Sequence, residues 1–291
     1  MSFWNDKITP FPGNKTLNCG NNVLVIDKPL VMGILNLTPD SFFDGGRYSN
    51  KEAWILQVDK MIREGASIID LGAVSTRPGA KQVSEAEEMD RLLPAVELLA
   101  KKYPDTVFSV DTYRSKVAAF AAKAGAGMIN DISGGSMDGD LIQTVAETGL
   151  PYILMHMQGI PSNMQSNPVY EDVTNEISHF FERNLLNLND SGIFQVIIDP
   201  GFGFGKSIEH NFKVLHELSV FKQYGFPILV GISRKSMIYK LLEITPEEAL
   251  PATSALHLAA ILNGADILRV HDVKEAMQVI KLAETYIKAA E

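Results

Sequence analysis

The sequence predicts an α/β fold, a (β/α)8 TIM barrel with an N-terminal β-hairpin. Three observations carry this. Strand-like and helix-like segments alternate through eight units in order. The strand segments are short and apolar on both faces, as a sheet covered on both faces requires. A Gly-Ala pair stands before three of them, at Gly65-Ala66, Gly125-Ala126 and Gly264-Ala265. Glycine closes the preceding helix and alanine lets the next strand pack closely. Eight such units in about 250 residues is the barrel count. A doubly wound open sheet is the competing architecture.

The stretch Lys15–Asp27 reads as the hairpin, turning at Gly20-Asn21-Asn22 and covering the N-terminal mouth of the barrel. The apolar run Leu30–Leu35 is the first barrel strand, followed by a polar, Gly-rich loop and the helical pattern Lys51–Glu64. Ser67–Leu71 leads through a long loop to Glu85–Lys102. Val107–Val110 leads to Arg114–Ala124, Met128–Ile129 to Asp138–Thr148, and Tyr152–Met155 through a polar loop to Glu171–Asn189. Gln195–Ile198 precedes the helix Ile208–Tyr224. Pro227–Val230 precedes a segment that becomes helical by Ala252–Leu262, and Ile267–Val270 precedes Val273–Ala290. No linker, repeat or low-complexity tract interrupts the series. Residues 1–291 therefore read as one domain, with the hairpin at 15–27 and the barrel over 28–291.

Composition bounds the function. The apolar fraction of 46% and charged fraction of 21% are those of a soluble globular protein with a large core. A net charge of −9 with no basic block argues against nucleic acid or an anionic membrane as partner. Cys19 is the only cysteine, so it reads as a structural thiol and no internal disulfide exists. Met1–Lys7 is not a basic-then-apolar signal and no apolar run is long enough to span a bilayer, so a cytoplasmic enzyme is expected.

The most informative stretch is Asp199-Pro200-Gly201-Phe202-Gly203-Phe204-Gly205-Lys206. An apolar strand ends on a carboxylate and breaks into a glycine loop carrying aromatics. It fails as a Walker A loop, because Pro200 stands where glycine is needed, and as a dinucleotide fingerprint, because the last glycine comes one residue early. A carboxylate beside Phe202 and Phe204 suits a flat heterocycle presenting N–H donors along one edge.

The other strand ends agree. They carry Asn36, Asp111, Asn130, His156, Lys235, Arg269 and His271, and a barrel would point all of these to one mouth. Asp111, Asn130 and Asp199 suit the amide and amino groups of a ring. Asn36, Lys235, Arg269 and His271 suit an anion, and Arg77 adds a positive charge in a loop bounded by Pro78 and Gly79. Asp131 reads as a cap for the loop Ile132–Gly135, His156 as a structural donor, and Arg234 as the partner of a neighbouring carboxylate. His179, His210, His216 and His257 lie in helical segments and read as packing or surface residues. No His/Cys cluster has zinc spacing. A divalent ion would be Mg²⁺, held mainly by phosphate oxygens with Asn36 as a neutral ligand.

These segments resemble the dihydropteroate synthase family over nearly the full length. The matching stretches are Gly33-Ile34-Leu35-Asn36-Leu37-Thr38-Pro39-Asp40-Ser41-Phe42, Asp70-Leu71-Gly72, Ser75-Thr76-Arg77-Pro78-Gly79, Val110-Asp111-Thr112 and Ile129-Asn130-Asp131. They continue with Leu154-Met155-His156, the Asp199–Lys206 run, Gly231-Ile232-Ser233-Arg234-Lys235-Ser236 and Arg269-Val270-His271-Asp272, in family order. The resemblance implies condensation of 7,8-dihydropterin-6-ylmethyl diphosphate with 4-aminobenzoate, giving 7,8-dihydropteroate and diphosphate. It implies that Asp111, Asn130, Asp199 and Lys235 bind the pterin, with Arg269 stacking on its face. Asn36, Arg269 and His271 would bind the diphosphate, and Asn36 would also meet Mg²⁺. Loops carrying Phe42 and Asp44, and Thr76, Arg77 and Pro78, would close over the site. Phe204, Lys235, Ser236 and Pro78 would lie near the aminobenzoate. Asp111 and Asp44 would stabilise a pterin-methyl cation. Phe43 and Val74 depart from the family's usual residues. A homodimer is expected from the family, with the apolar segment Ala252–Leu262 as interface, and sulfonamide susceptibility is a further expectation. A pterin-binding methyltransferase would have no use for the Ser-Thr-Arg-Pro-Gly loop, and an inactive pterin carrier would be expected to show damage at Asp111, Lys235, Arg269 or His271.

Overall fold

The computed structural model describes residues 16–37, 50–74, 83–160, 164 and 168–289. Strands β1 (Thr16–Cys19) and β2 (Asn22–Val25) form the antiparallel hairpin, with Cys19 opposite Asn22 across the turn. Then follow β3 (Leu30–Asn36), α1 (Asn50–Glu64), β4 (Ile68–Gly72), α2 (Glu85–Lys102), β5 (Val107–Asp111), α3 (Ser115–Ala124), β6 (Met128–Asp131) and α4 (Leu141–Thr148). The chain continues with β7 (Tyr152–Met155), α5 (Val173–Asp190), β8 (Val196–Asp199), α6 (Ile208–His216), a 3₁₀ helix (Leu218–Tyr224) and β9 (Leu229–Val230). It ends with α7 (Ser236–Tyr239), α8 (Leu250–Leu262), β10 (Ile267–Val270) and α9 (Val273–Lys288).

The strands β3 to β10 lie in the order β8-β7-β6-β5-β4-β3-β10-β9, every neighbouring pair parallel. A parallel bridge between Ile198 and Ile228 joins the two ends of that sheet, with Ile198 N–H donating to Pro227 O at 2.9 Å. The sheet is therefore a closed eight-stranded barrel rather than the open sheet that competed with it.

Alternation along the strands decides what fills the barrel. Every barrel strand reaches an inner cluster, β3 with Leu30 and Met32 and the others with one residue each: Ile68, Val107, Met128, Ile153, Ile197, Leu229 and Ile267. Leu17, Cys19, Leu24 and Ile26 from the hairpin region complete that cluster, so the hairpin does plug the N-terminal mouth. Burial pushes the Cys19 thiol up to about 12, which keeps it an inert packing group. The opposite face of each strand packs against the helices in a second, larger core.

The three Gly-Ala pairs act as read. Gly65, Gly125 and Gly264 have φ of 104°, 109° and 103°, the left-handed conformation open to glycine. The following alanine N–H reaches back five residues, Ala66 to Met61 O, Ala126 to Ala121 O and Ala265 to Ala260 O, at 3.0, 2.9 and 2.9 Å. This is the Schellman closure.

Two predicted helices start or end differently. The helix expected over Ile208–Tyr224 breaks into α6 and a 3₁₀ turn, because its buried residues Leu218, Phe221 and Tyr224 recur every three positions. The helix expected from Asp138 begins at Leu141. The Asp138 carboxylate instead accepts from Ser115 N–H at 2.7 Å and Asp140 N–H at 3.0 Å, capping the neighbouring α3.

Candidate active site

Two residues beyond the apolar inner layer, the same inward register reaches Asp70, Ser109, Asn130, Asp199, Gly231 and Arg269. One step further lie Asn36, Gly72 and Asp111 at the strand tips. The pleat thus turns a hydrophobic plug into a polar floor within one barrel, at the C-terminal end of the strands.

Arg269 is the centre of this floor. Its guanidinium donates to Asp70 Oδ2 through Nε at 2.7 Å and to Asp111 Oδ2 through Nη2 at 3.0 Å, and Nη2 also stands 2.6 Å from Asp70 Oδ2 as an ion-pair contact. Asn130 Nδ2 donates to Asp70 Oδ2 at 3.0 Å, which leaves the Asn130 carbonyl oxygen as its acceptor. Gly72 lies between Asn36 and Asp111: a methyl group there would sit 3.8 Å from Asn36 Oδ1 and 3.8 Å from Asp111 Oδ2. Gly231 likewise lies against Lys235 and Arg269.

Asp199 ends β8 with its carboxylate buried, accepting from Gly201 N–H at 2.7 Å. Burial raises its pKa, opposed first by Lys235 and less by Arg269 and Lys206. Lys235 Nζ donates to Phe202 O at 2.6 Å and stands 4.7 Å from the centre of the Phe204 ring. Ser236, next to it, opens α7. His271 is held separately by Ser233, whose Oγ lies 3.1 Å from Nδ1 and accepts from the His271 N–H at 3.2 Å.

The structure brings Asp111, Asn130, Asp199, Lys235 and Arg269 into one electrostatic unit, with Asn36, Phe204, Ser236 and His271 at strand or loop ends around it. Phe42, Asp44, Thr76, Arg77 and Pro78, and with them Phe43, lie outside the described residues. Two sequence expectations are corrected, and a third residue takes a part that sequence reasoning missed. Phe202 is fully buried and belongs to the outer core, so only Phe204 offers its ring to the mouth. His156 is not a structural donor through Nδ1: that atom faces Lys206 Nζ at 3.0 Å, and burial followed by the Lys206 charge holds the imidazole well below its usual pKa, so the neutral ring accepts. Asp70 has a larger part than the sequence suggested, as the buried anion that anchors Arg269. Its only signal was an acid inside the apolar run Ile68-Ile69-Asp70-Leu71.

Other expectations hold. Asp131 caps its loop, accepting from Ser133 N–H at 2.7 Å and Gly135 N–H at 2.6 Å. Arg234 pairs with Asp272 in a two-bond fork, Nε–Oδ2 2.7 Å and Nη2–Oδ1 2.8 Å, and its Nη1 also donates to Glu247 O. Arg234 holds φ 53°, strained for a non-glycine residue, and the fork retains it there. Because Lys235 follows Arg234 and His271 precedes Asp272, the fork registers two site loops. Replacement Asp272→Ala is expected to destabilise the fold by about 1–3 kcal/mol, read as a lowered urea midpoint; an unchanged midpoint would contradict this role.

A cavity of about 740 Å³ opens at the far, hairpin end of the barrel, lined among others by Asn21, Ala119, Lys123 and Glu147. It is remote from the polar floor and collects no convergent charged set. Among the described residues no group of three His, Cys, Asp or Glu side chains is placed to hold a metal ion.

The chain matches the family of pterin binding enzymes over residues 32–271. It is 45% identical over 270 residues to dihydropteroate synthase of Escherichia coli (strain K12), covering 92% of this chain and 95% of that one. It is 40% identical to the Bacillus subtilis (strain 168) dihydropteroate synthase over 263 residues, covering 90% of each. The fold superposes on Yersinia pestis dihydropteroate synthase in a sulfonamide complex with a TM-score of 0.88 and 43% identity, over 94% of this chain and 99% of that one. Xanthomonas albilineans dihydropteroate synthase with 4-aminobenzoic acid gives a TM-score of 0.88 at 38% identity, over 94% and 98%. A buried acid–amide–arginine floor at the barrel mouth and these likenesses agree, and the chain belongs to the dihydropteroate synthase family of pterin-binding enzymes.

Proposed function

We propose that the protein transfers a pterinylmethyl group, condensing 7,8-dihydropterin-6-ylmethyl diphosphate with 4-aminobenzoate to 7,8-dihydropteroate and diphosphate, a step of folate biosynthesis. The observation that carries this reading is the convergence of Asp111, Asn130 and Asp199 on one floor beside Arg269 and Lys235. Carboxylates accept paired N–H bonds from a planar ring, and the Asn130 oxygen adds a third acceptor. In this reading Arg269 faces the departing diphosphate, on which negative charge develops. His271, fixed by Ser233, extends that anion subsite. Loss of diphosphate leaves a cation conjugated with the dihydropterin, which the Asp111 carboxylate stabilises. The aromatic amine then attacks without prior deprotonation, so no strong base is required. Phe204 and Lys235 form the side on which the amine and its carboxylate are received, next to Ser236.

The donor set fits Mg²⁺ held chiefly by diphosphate oxygens. Asn36 offers one neutral oxygen beside Asp111, as expected of an ion that keeps phosphate and water ligands. When bound, the ion neutralises leaving-group charge. Complementation tests the function: the gene should restore growth without supplied folate to a host lacking its own synthase. Failure of a well-expressed protein would reject the reading. Sulfonamides, which mimic the aminobenzoate, should suppress the restored growth.

The pH dependence has a definite sign. Burial pushes the Asp111 carboxyl up to about 7, opposed chiefly by Arg269. Burial pulls the Lys235 ammonium down to about 8, opposed by Asp199. The reaction uses ionised Asp111 and protonated Lys235. Accordingly kcat/KM rises as pH passes about 7 and falls as it passes about 8, a narrow bell. Because the folded value of Asp111 lies above the ordinary carboxylate range, its contribution to stability declines as pH rises from that range to about 7. Replacement Lys235→Arg should remove the alkaline limb; a limb that persists unchanged belongs to another group.

A homodimer and a cytoplasmic location belong to the same proposal. Helices α8 and α9 carry exposed Leu262, Leu282 and Tyr286, an apolar face a second copy would cover. Light scattering should return twice the chain mass of 32.0 kDa. No helix among the described residues is long and apolar enough to cross a membrane.

A further inference from the structure

Lys206 closes the glycine–aromatic loop after β8, and none of the roles above uses it. Its ammonium is buried, at 3% exposure, inside the loop it terminates. It lies 3.0 Å from His156 Nδ1 and donates to Gly201 O at 3.0 Å and Phe204 O at 3.2 Å. Three acceptors match the three N–H bonds of an ammonium. Burial pulls Lys206 down to about 7, yet even the neutral amine keeps two N–H donors for the two carbonyls. The same loop is held from outside by Tyr170, whose hydroxyl donates to Gly205 O at 2.7 Å, and by Asn211 Oδ1, which accepts from Gly203 N–H at 2.7 Å. It is also pressed flush on the segment after β7: a methyl group at Gly201 would lie 1.9 Å from His156 O, and one at Gly205 2.3 Å from Gln158 O.

Held in this shape, the loop presents two groups to the site. The Phe202 carbonyl receives Lys235, and the Phe204 ring lies beneath the Lys235 ammonium. The Asp199 backbone, by contrast, is fixed by the β7–β8 ladder, with His156 N–H donating to its carbonyl at 2.9 Å; its carboxylate meets the loop at Gly201 N–H, and the Lys206 charge acts on it less than those of Lys235 and Arg269. The strand therefore places the pterin carboxylate, while the lysine shapes the loop.

We propose that Lys206 is a positioning residue for the amine substrate, acting through Phe204 and Lys235 rather than by touching either reactant. This rests on the reading of the site as a synthase, so wild-type protein is first shown to form dihydropteroate from both substrates; failure there defeats that reading and not this one. The test is steady-state kinetics of Lys206→Met, with each KM measured at saturation of the other substrate. The expected result is a KM for 4-aminobenzoate raised about 10-fold, with that for the pterin diphosphate changed by less than about 3-fold. Tyr170→Phe, which releases the same loop at an outer carbonyl, should shift the same KM in the same direction by a smaller factor. If Lys206→Met does not fold, Tyr170→Phe decides. Equal movement of both KM values, a fall in kcat alone, or no change in a folded variant would overturn the proposal.

Discussion

Replacing Asp199 by asparagine is expected to lower kcat/KM by about a thousandfold or more while leaving the fold intact. The carboxylate is buried and already accepts one bond from Gly201 N–H. A ring presenting adjacent N–H groups needs acceptors there, and an amide would turn N–H donors toward N–H donors. A buried site built to accept hydrogen bonds discriminates steeply when one partner has the wrong polarity. Stability moves the other way or not at all. Burial disfavours the ionised form of Asp199, so a neutral isostere relieves desolvation. The pair of readouts is kcat/KM with calorimetric affinity for a pterin lacking the diphosphate, and the thermal midpoint. A variant within about 10-fold of wild type in kcat/KM would show that Asp199 does not hold the ring.

Arg269→Met should damage both stability and activity, and the two effects should separate. The guanidinium is the shared partner of Asp70 and Asp111. Removing it strands the fully buried Asp70 carboxylate, a loss of about 3–5 kcal/mol by the usual cost of breaking a buried ion pair from one side. It also removes the cation facing the leaving group, so kcat should fall by at least about a hundredfold. Adding Asp70→Asn to the methionine variant removes the stranded charge and should recover part of the lost stability, but none of the turnover. Urea midpoints and kcat for the two variants make the comparison. A single variant as stable as wild type, or a double variant that regains turnover, would contradict this account of the floor.

The parts of this architecture that lay close together in sequence were legible there. Short apolar runs, each ending in Asp, Asn or Arg, gave the barrel and most of its floor, because inward register repeats every two residues. The Gly-Ala pairs were readable because the Schellman closure is local. The Asp131 cap was readable because its partners stand two and four residues away. What failed depended on distant contacts. Asp70 made sense only beside Arg269, 199 residues later. Lys206 needed His156, 50 residues earlier. Phe202 and Phe204 look equivalent in the run, yet the loop's turn sends one ring into the outer core and leaves the other near Lys235. The break after His216 followed a three-residue burial period that only packing discloses.

The most direct test of the central claim follows both products of one reaction. Purified protein is given the dihydropterin diphosphate and Mg²⁺, with and without 4-aminobenzoate, and diphosphate and dihydropteroate are measured together. Equal amounts of the two products are expected with the amine present, and no dihydropteroate without it. Slow diphosphate release in the absence of the amine would indicate water capture of the pterinylmethyl cation left behind, in keeping with dissociative chemistry. Binding of the pterin with neither product formed under either condition would contradict the assignment of this floor to pterinylmethyl transfer.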